Sequence, residues 1–508
     1  MSVLKKLAGE TALYGLSSIV GRFINYLLVP LHTWIFGQPR DLSPTVDLFA
    51  FVAVANIIYT FGLETGFFRY ASKTGDLHKY YDQTLTSVIV LSAVLSLSIV
   101  LGAPAIAQAM NYPDKAHIIV WLAVIMFIDA VVAIPFARLR LERQAKRFVK
   151  VKIINILANI ALNTFFLVFL KGVYEGIIWP EWSSQAALFY NPDWSVEYIF
   201  LANLIANLLF IYLLRDLFID FRFQFDKNLF KELWQYSFPI MILGLVGMVN
   251  TMTDRMFLKY LLPEKFYPKR SVEDSLSIYG QCYKLSMLMQ LAVQSFKFAA
   301  DPFFFSNAQD KNAPALLALV MKWFVIVCVG LWVVISLHND LIGFLFLRSP
   351  AYREGLAVVP ILSLAHLFIG VYYNLAFWFK LTDRTHFGIL ISGVGTLVTI
   401  GLNFLLIPLM GYMACAWAFL ASGVVMCVLC YVLGERYYPV PYRLWSAVGY
   451  IGSAGLLIYV SSLIKIPNLW VSVPYHLVLC LLYFMVILLV EFDSLPLVLR
   501  QKLAFLRR

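Results

Sequence analysis

The strongest constraint in this sequence is a succession of apolar segments, each about as long as a membrane-spanning helix. A helix needs roughly 20 mostly apolar residues to cross a bilayer, and the 508-residue chain is 61% hydrophobic and only 14% charged. We predict an all-α integral membrane protein of about 14 transmembrane helices. The predicted spans lie near 11–36, 46–71, 84–108, 116–137, 149–170, 196–214, 233–262, 275–302, 314–337, 355–380, 386–408, 411–433, 444–463 and 470–490.

The basic residues give this arrangement a direction. Lys and Arg are concentrated in alternate loops, and cytoplasmic loops carry an excess of positive charge. Both termini are therefore predicted to be cytoplasmic, and the net charge of +11 reflects topology and does not indicate nucleic acid binding. The most basic loop, Arg138 to Lys152, acts either as a dock for lipid head groups or as a plain topology determinant, which we favour.

A weak internal repeat suggests two lobes. Span 5 contains Leu162-Asn163 and span 11 contains Leu402-Asn403, so the matching positions lie six spans apart and share one orientation. We predict an N-terminal six-helix lobe over 1–217 and a C-terminal six-helix lobe over 218–434. Two extra helices and a cytoplasmic tail would occupy 435–508.

The first span carries a polar face with a cation at its centre. At 100° per residue, its polar side chains fall on one side of the helix; they are Thr11, Tyr14, Ser18, Arg22, Asn25 and His32. A guanidinium in mid-membrane costs at least ~2.5–3.5 kcal/mol, so this face should look into a bundle or an aqueous cavity. A hydrogen-bonded seam between helices is the alternative, and Arg22 favours the cavity.

Other charges inside the spans are concentrated in spans 1, 2, 7 and 8, which would line a central path. The residues predicted to bind a polyanionic substrate such as a diphosphate are Arg22, Asn25, Arg255, Lys284 and Lys297, because Arg offers bidentate contacts to phosphate. The residues predicted to carry a coupling ion, a proton or sodium, are Glu64, Asp129, Asp254 and Asp301. Lys297 and Asp301, at i and i+4, could simply pair with each other.

Glu64 allows two interpretations. It follows Asn56 and Thr60 at intervals of four residues, which predicts one polar stripe on one helix. A carboxyl group at that depth could take up a proton during transport. It could instead form a structural salt bridge to Arg69 or to a charge on another helix.

The sequence contains no motif for soluble catalysis. No phosphate-binding loop, metal cluster or nucleophile motif is present, and the six cysteines lie in apolar runs without a disulfide or metal pattern. We therefore predict a protein that is not an enzyme and uses no cofactor or metal. A membrane-embedded polysaccharide polymerase or acyltransferase remains an alternative, since either needs only a few intramembrane residues.

The largest loop on the side opposite the termini, Lys171 to Glu197, is acidic and aromatic. Its rings include Trp179, Trp182, Tyr190 and Trp194. Aromatic rings there could stack on sugars, or they could form the belt that collects at membrane interfaces, which is the commoner case.

Several motifs resemble one family of membrane proteins. They are Gly9-Glu10-Thr11-Ala12, Gly21-Arg22-Phe23, the run from Phe61 to Arg69, Asp254-Arg255, and Asn403 followed by Pro408 and Gly411 to Ala416. In these the chain resembles the polysaccharide-exporter branch of the multidrug/oligosaccharidyl-lipid/polysaccharide flippase superfamily.

The resemblance implies a function as well as a fold. The fold would be a V-shaped, two-lobed bundle of the MATE type. The function would be to translocate undecaprenyl-diphosphate-linked oligosaccharide repeat units of O-antigen (the outer part of lipopolysaccharide), capsule or a related polysaccharide across the bacterial inner membrane by alternating access. The implied partners are this lipid-linked oligosaccharide, membrane lipids and other polysaccharide-assembly proteins. A drug/cation antiporter on the same scaffold is the alternative.

Overall fold

The structure is a computed structural model that describes residues 21, 23–24, 26–306, 312–382, 384–464 and 466–494. These residues form helices joined by short turns, with no β-strand among them. Eleven of the helices are long and apolar enough to cross a membrane. This confirms the prediction of an all-α integral membrane protein.

The helices of the N-terminal half follow one another closely. They are α1 (Leu28–Ile35), α2 (Pro39–Thr60), α3 (Leu63–Thr74), α4 (Leu77–Leu101), α5 (Ala103–Ala109), α6 (Ala116–Leu141), α7 (Ala145–Thr164), α8 (Lys171–Tyr174), α9 (Ser183–Ala186), α10 (Glu197–Leu213) and α11 (Arg215–Ile219). A π-helical turn, Phe165–Leu170, joins α7 to α8, and short 3₁₀ turns form at Pro113–Lys115 and Pro180–Trp182.

The C-terminal half begins with two long helices. Its helices are α12 (Lys227–Leu261), α13 (Val272–Ser306), α14 (Ala313–Leu337), α15 (Asn339–Phe346), α16 (Val358–Leu375), α17 (Phe377–Leu381), α18 (His386–Met410), α19 (Tyr412–Tyr437), α20 (Leu444–Leu463) and α21 (Leu469–Val490). Two 3₁₀ segments, Pro350–Ala357 and Phe492–Ser494, precede α16 and follow α21.

The predicted spans agree closely with these helices. Eleven of them correspond to the membrane-length helices. The span predicted at 196–214 is the shorter apolar helix α10, and the span predicted at 275–302 lies within the 35 residues of α13. Twelve of the 26 residues of the first predicted span, 11–36, lie outside the described residues, and α1 lies at its described end.

The chain divides into two compact units. The first comprises 1–280 and 389–422, and the second comprises 281–388 and 423–508. Helix α13 therefore belongs to the first unit up to Gly280 and to the second from Gln281 onward. These boundaries differ from those of the predicted lobes, 1–217 and 218–434, which stay a prediction.

In the first unit, α6 is the central helix. It packs against α2, α4 and α10, and one of its faces joins a buried apolar cluster with α7 and α10 that includes Val132, Phe136, Val151 and Phe210. Burying such side chains contributes ~25 cal/mol for each Å² of apolar surface removed from water. In a bilayer the same faces are held by close packing instead.

In the second unit, α14 has the corresponding position. It packs against α16, α20 and α21. Lys322 of α14 pairs with Glu491 at the end of α21, and the Tyr450 hydroxyl of α20 donates a hydrogen bond of 2.5 Å to the same carboxylate. The two C-terminal helices are therefore joined to α14 by a polar contact as well as by apolar packing.

The helix predicted across Asn56, Thr60 and Glu64 is interrupted. α2 ends at Thr60, and Phe61 and Gly62 both adopt left-handed backbone angles, with φ of 50° and 66°. The prediction of one continuous polar stripe was therefore wrong. The cause is tertiary, because α12 packs against both α2 and α3 and its Ser237 backbone lies against Gly62.

Gly62→Ala should destabilise the protein more than Gly75→Ala. Both glycines have positive φ, which costs an L-residue about 1–2 kcal/mol. A Cβ at Gly62 would lie 2.6 Å from the Ser237 carbonyl oxygen, whereas a Cβ at Gly75 meets nothing within 4 Å. Forcing α12 away should add roughly 1–3 kcal/mol. Thermal unfolding in detergent measures the difference, and equal melting temperatures for the two variants would contradict the close approach.

Candidate functional site

Two predicted site residues, Asp254 and Arg255, lie on α12 in the first unit. Asp254 is only 3% exposed. Its carboxylate accepts a hydrogen bond of 2.5 Å from the Tyr279 hydroxyl and one of 2.8 Å from the Arg255 backbone N–H. Arg255 is half-buried, and its Nη1 lies 2.9 Å from the Met252 sulfur. The Asp254 carboxylate is thus held by a residue of a neighbouring helix, α13. The Arg255 guanidinium lies against a residue of its own helix, α12.

A polar seam lies one turn earlier on the same helix. The buried amide oxygen of Asn250 accepts hydrogen bonds from Thr399 of α18 at 2.6 Å and from Ser422 of α19 at 3.3 Å. The Cys415 thiol lies 3.6 Å from the Asp254 carbonyl oxygen. α12 is therefore fixed to three other helices close to Asp254.

The two predicted lysines lie on the part of α13 that belongs to the second unit. Lys284 Nζ donates a hydrogen bond of 3.1 Å to the Gln281 side chain. Lys297 Nζ lies 4.6 Å from the centre of the Tyr373 ring, a distance at which a cation is attracted by an aromatic face. Thirteen residues of helix separate the lysines, or about 20 Å, so they are two separate cationic positions on one helix.

Three predicted residues cannot be placed. Arg22 and Asn25 lie outside the described residues, and so does the side chain of Asp301. The predicted diphosphate site at Arg22, Asn25, Arg255, Lys284 and Lys297 stays a prediction, and so does the Lys297–Asp301 pair.

Glu64 forms an ion pair with Arg140 of α6. Both side chains are 33% exposed, and the guanidinium also lies 4.8 Å from the centre of the Phe68 ring. Arg69 instead stacks over Tyr236 of α12, 4.2 Å from the ring centre. This geometry corresponds to a salt bridge with another helix, and a role for Glu64 in ion coupling stays a prediction.

Asp129 has neutral hydrogen-bond partners. Its carboxylate accepts a hydrogen bond of 3.0 Å from the Asn207 amide of α10, and the Asn56 side chain of α2 also bonds to it. Lys152 of α7 contributes a favourable charge. Asp129 therefore lies where three helices meet α6, about 16 Å along that helix from Arg140.

The sequence analysis missed a buried ion pair. Asp47 of α2 pairs with Lys259 of α12, and their side chains are 0% and 4% exposed. Lys259 Nζ also donates a hydrogen bond of 2.5 Å to the Met110 carbonyl and lies 3.9 Å from the centre of the Tyr112 ring. Both charges lie inside predicted spans near their ends. Their opposite signs could have drawn attention to them, but nothing in the sequence pairs spans 2 and 7.

The repeated asparagines share one local geometry. Asn163 donates a hydrogen bond of 2.8 Å to the Asn159 carbonyl, and Asn403 donates one of 2.9 Å to the Thr399 carbonyl. Both are buried. Asn163 also bonds to the His32 ring at 3.0 Å, which places this end of the predicted polar face of span 1 in a hydrogen-bonded seam.

Arginines of the most basic loop are paired with acids. Arg138 bonds to Glu142 at 2.7 Å and to Asp220 at 2.6 Å, and Arg147 pairs with Asp216. The hydrogen bonds from Arg147 and Arg138 lower the pKa of Asp216 and Asp220, respectively. Most of the predicted loop is helical, and these ion pairs therefore hold the end of α6 and the start of α7 to the segment after α10.

Three solved structures share the fold. The lipid II flippase MurJ in an inward closed conformation superimposes with a TM-score of 0.71 at 14% identity, covering 94% of this chain and 98% of MurJ. An inward-facing multidrug resistance transporter of the MATE family gives 0.64 at 13% identity over 86% and 99% of the two chains. A variant of the Vibrio cholerae MATE transporter VcmN gives 0.59 at 13% identity over 86% and 98%.

Sequence comparison matches a shorter part of the chain than the structural superpositions do. A family model described as polysaccharide biosynthesis protein matches residues 46–308. No curated protein matches the sequence.

A double-mutant cycle should reveal coupling between Glu64 and Arg140. Because the pair is one-third exposed, Glu64→Gln and Arg140→Gln should show a coupling free energy of about 1 kcal/mol or less. The more exposed Lys171–Glu175 pair, 3.8 Å apart, is the control and should show almost none. The measurement is thermal unfolding in detergent. Additive effects at both pairs would contradict the ion pair as a stabilising contact.

The acids that pair with the basic loop should make stability pH-dependent. A carboxyl group with a lowered pKa in the fold stabilises it above the unfolded value of about 3.9, and this stabilisation disappears as the pH falls through the folded value. Asp216→Asn and Asp220→Asn should therefore lower the melting temperature at pH 6 and approach the parent protein near pH 3. Asp193→Asn, in an exposed loop, is the control. A difference that stays constant with pH would argue against the paired state.

Proposed function

Because the chain belongs to the polysaccharide biosynthesis protein family, we propose that it is a flippase for lipid-linked glycans. It would translocate undecaprenyl-diphosphate-linked oligosaccharide repeat units of O-antigen, capsule or a related polysaccharide across the bacterial inner membrane by alternating access. The family match and the fold shared with the lipid II flippase support this proposal.

The observation that carries the proposal is the set of half-buried cations on two helices of 35 residues each. Arg255 lies on α12, and Lys284 and Lys297 lie on α13. A cation at such a position is costly and is retained where a function needs it. A phosphate group is an anion that each of these cations could bind through charge-assisted hydrogen bonds. In this proposal the glycan occupies the aqueous lumen and the lipid tail stays in the bilayer.

Transport would be coupled to protons or sodium through Asp129, Asp254, Glu64 and Asp301. Asp129 is the strongest of these candidates, because its hydrogen-bond partners are neutral amides. Protonation of a carboxyl group whose direct hydrogen-bond partners are neutral breaks no direct ion pair, whereas protonation of Glu64 would leave Arg140 unpaired. We propose no other cofactor. Both termini would be cytoplasmic, and the partners would be the lipid-linked oligosaccharide, membrane lipids and other polysaccharide-assembly proteins.

A drug/cation antiporter is the second candidate function, and the MATE superpositions favour it. In that case the carboxylates Asp129 and Asp254 would bind the cationic substrate. The experiment that separates the candidates is leaflet-resolved detection of lipid-linked oligosaccharide in cells depleted of this protein. A flippase predicts accumulation in the inner leaflet. An antiporter predicts unchanged lipid-linked glycan and increased sensitivity to cationic drugs.

Lys297→Ala should slow translocation, while Lys297→Arg should retain much of it. Loss of one charge-assisted contact to a phosphate corresponds to roughly a ten- to hundredfold change. Lys380→Ala is the control, because Lys380 also lies 4.6 Å from an aromatic ring centre, that of Phe377, but at the end of its helical span. The rate is measured in the leaflet assay at matched membrane abundance. Normal translocation rates for both Lys297→Ala and Arg255→Ala would refute the proposed diphosphate site.

A further inference from the structure

The loop between α7 and α10 folds into a compact unit with its own cavity. α8, the 3₁₀ turn Pro180–Trp182 and α9 follow one another closely, and together with the π-helical turn before α8 they line an open cavity of about 490 Å³. That volume lies in the range of about 300–1,000 Å³ typical of small-molecule sites. The cavity lies beside Tyr174, where the long span Ala145–Tyr174 ends.

The walls of the cavity are aromatic, with two polar groups among them. Trp179 and Trp182 are 59% and 56% exposed, and Phe189 lies on the same rim. Glu181 and Gln185 add a carboxylate and an amide to the lining, and both are exposed. Flat apolar surfaces with a few polar groups at the edge are typical of sites that bind amphipathic small molecules.

The floor of the cavity is closely packed. Leu170, Val173 and Ala186 line it and form a buried cluster. The Tyr190 ring stacks on the Tyr198 ring, with centres 5.3 Å apart and planes within 6°. This stacking joins the loop to α10.

The backbone of Trp179 is strained in a way that shapes the rim. Trp179 has a φ of 46°, a left-handed conformation that L-residues other than Asn and Asp rarely adopt. The Trp179 and Phe169 rings pack edge to face, with centres 5.4 Å apart and planes at 86°. Strained residues that persist are concentrated at functional sites. Here the strain places a tryptophan at the mouth of the cavity.

We propose that this cavity binds a glycan, with the rings of Trp179 and Trp182 stacked on the C–H faces of pyranose sugars. Glu181 would accept hydrogen bonds from sugar hydroxyl groups, and Gln185 would donate and accept them. This assignment rests on the proposed function for the identity of the glycan, since the loop is predicted on the side to which a flipped oligosaccharide is delivered. The site would receive the sugars next to the membrane surface.

A lipid surface is the competing partner. Ile177, Leu188 and Phe189 are each at least 75% exposed, and such side chains can insert into a membrane interface. The concave rim and the charge of the loop favour the glycan. The stretch from Lys171 to Glu197 contains four acidic residues and one lysine. This net negative charge opposes attraction to anionic head groups.

The test uses the full-length protein in nanodiscs and one defined probe. The probe is the free oligosaccharide released by mild acid from the lipid-linked glycan of the producing cells, and binding is measured by saturation-transfer NMR. Trp182→Ala and Gln185→Ala are compared with Trp470→Ala. Trp470 is a matched control because it is 89% exposed and is predicted on the same side of the membrane.

We expect the parent protein and Trp470→Ala to bind the probe with equal affinity. Trp182→Ala should bind roughly three- to tenfold more weakly, which is the size of one aromatic contact, and Gln185→Ala should bind more weakly as well. Absence of binding by the parent protein would overturn the proposal, as would equal weakening in Trp470→Ala. Quenching of Trp179 and Trp182 fluorescence by brominated phospholipids would assign the rim to the membrane instead.

The outcome is separable from that of the proposed function. Depletion that leaves the leaflet distribution unchanged refutes the flippase without affecting direct binding of the oligosaccharide at Trp182. Accumulation in the inner leaflet, combined with no binding by the parent protein, refutes only the glycan site.

Discussion

Hydrocarbon offers no hydrogen bonds, so a polar group inside a membrane helix must find its partner within the protein. Three buried carboxylates among the described residues follow that constraint. Asp254 is held by the Tyr279 hydroxyl, Asp129 by the Asn207 amide, and Asp47 by Lys259. Each pair joins two different helices. The polar groups that make the spans costly are therefore also the contacts that fix how the helices pack.

α12 carries several of these contacts in the first unit. Asn250, Asp254 and Lys259 follow one another at intervals of four or five residues and are all buried. Their partners lie on α18, α13 and α2. At the other end of α12, the Ser237 backbone lies against Gly62. α12 thus makes polar contacts with several neighbouring helices. These contacts fix the rotation of α12 about its own axis more specifically than apolar packing would.

The same partners bear on transport. A buried carboxylate can carry an ion only if its charge can be neutralised without leaving another charge unpaired. Asp129, bonded to amides, meets that condition better than Glu64, which is paired with Arg140. In the cavity of the loop after α8, the polar groups are few and exposed, and most of the lining is apolar and aromatic. The chain therefore has two distinct kinds of feature. One is the set of charged side chains on its long helices, and the other is the aromatic rim of the cavity at the end of a span.

Hydropathy by itself determined the placement of the eleven membrane-length helices, because the length and apolar character of a span are local properties of the chain. It also located the deep charges at Asp129, Asp254, Arg255, Lys284 and Lys297. Their partners could not be predicted, because a charge on one span can meet any of several others and only packing selects among them. The ion pair of Asp47 with Lys259 joins residues 212 positions apart. The helix break at Phe61 and Gly62 arises from the close approach of α12, which no local pattern records. Tertiary packing alone decided which polar groups meet, because in a membrane the partner is chosen by the neighbouring helix.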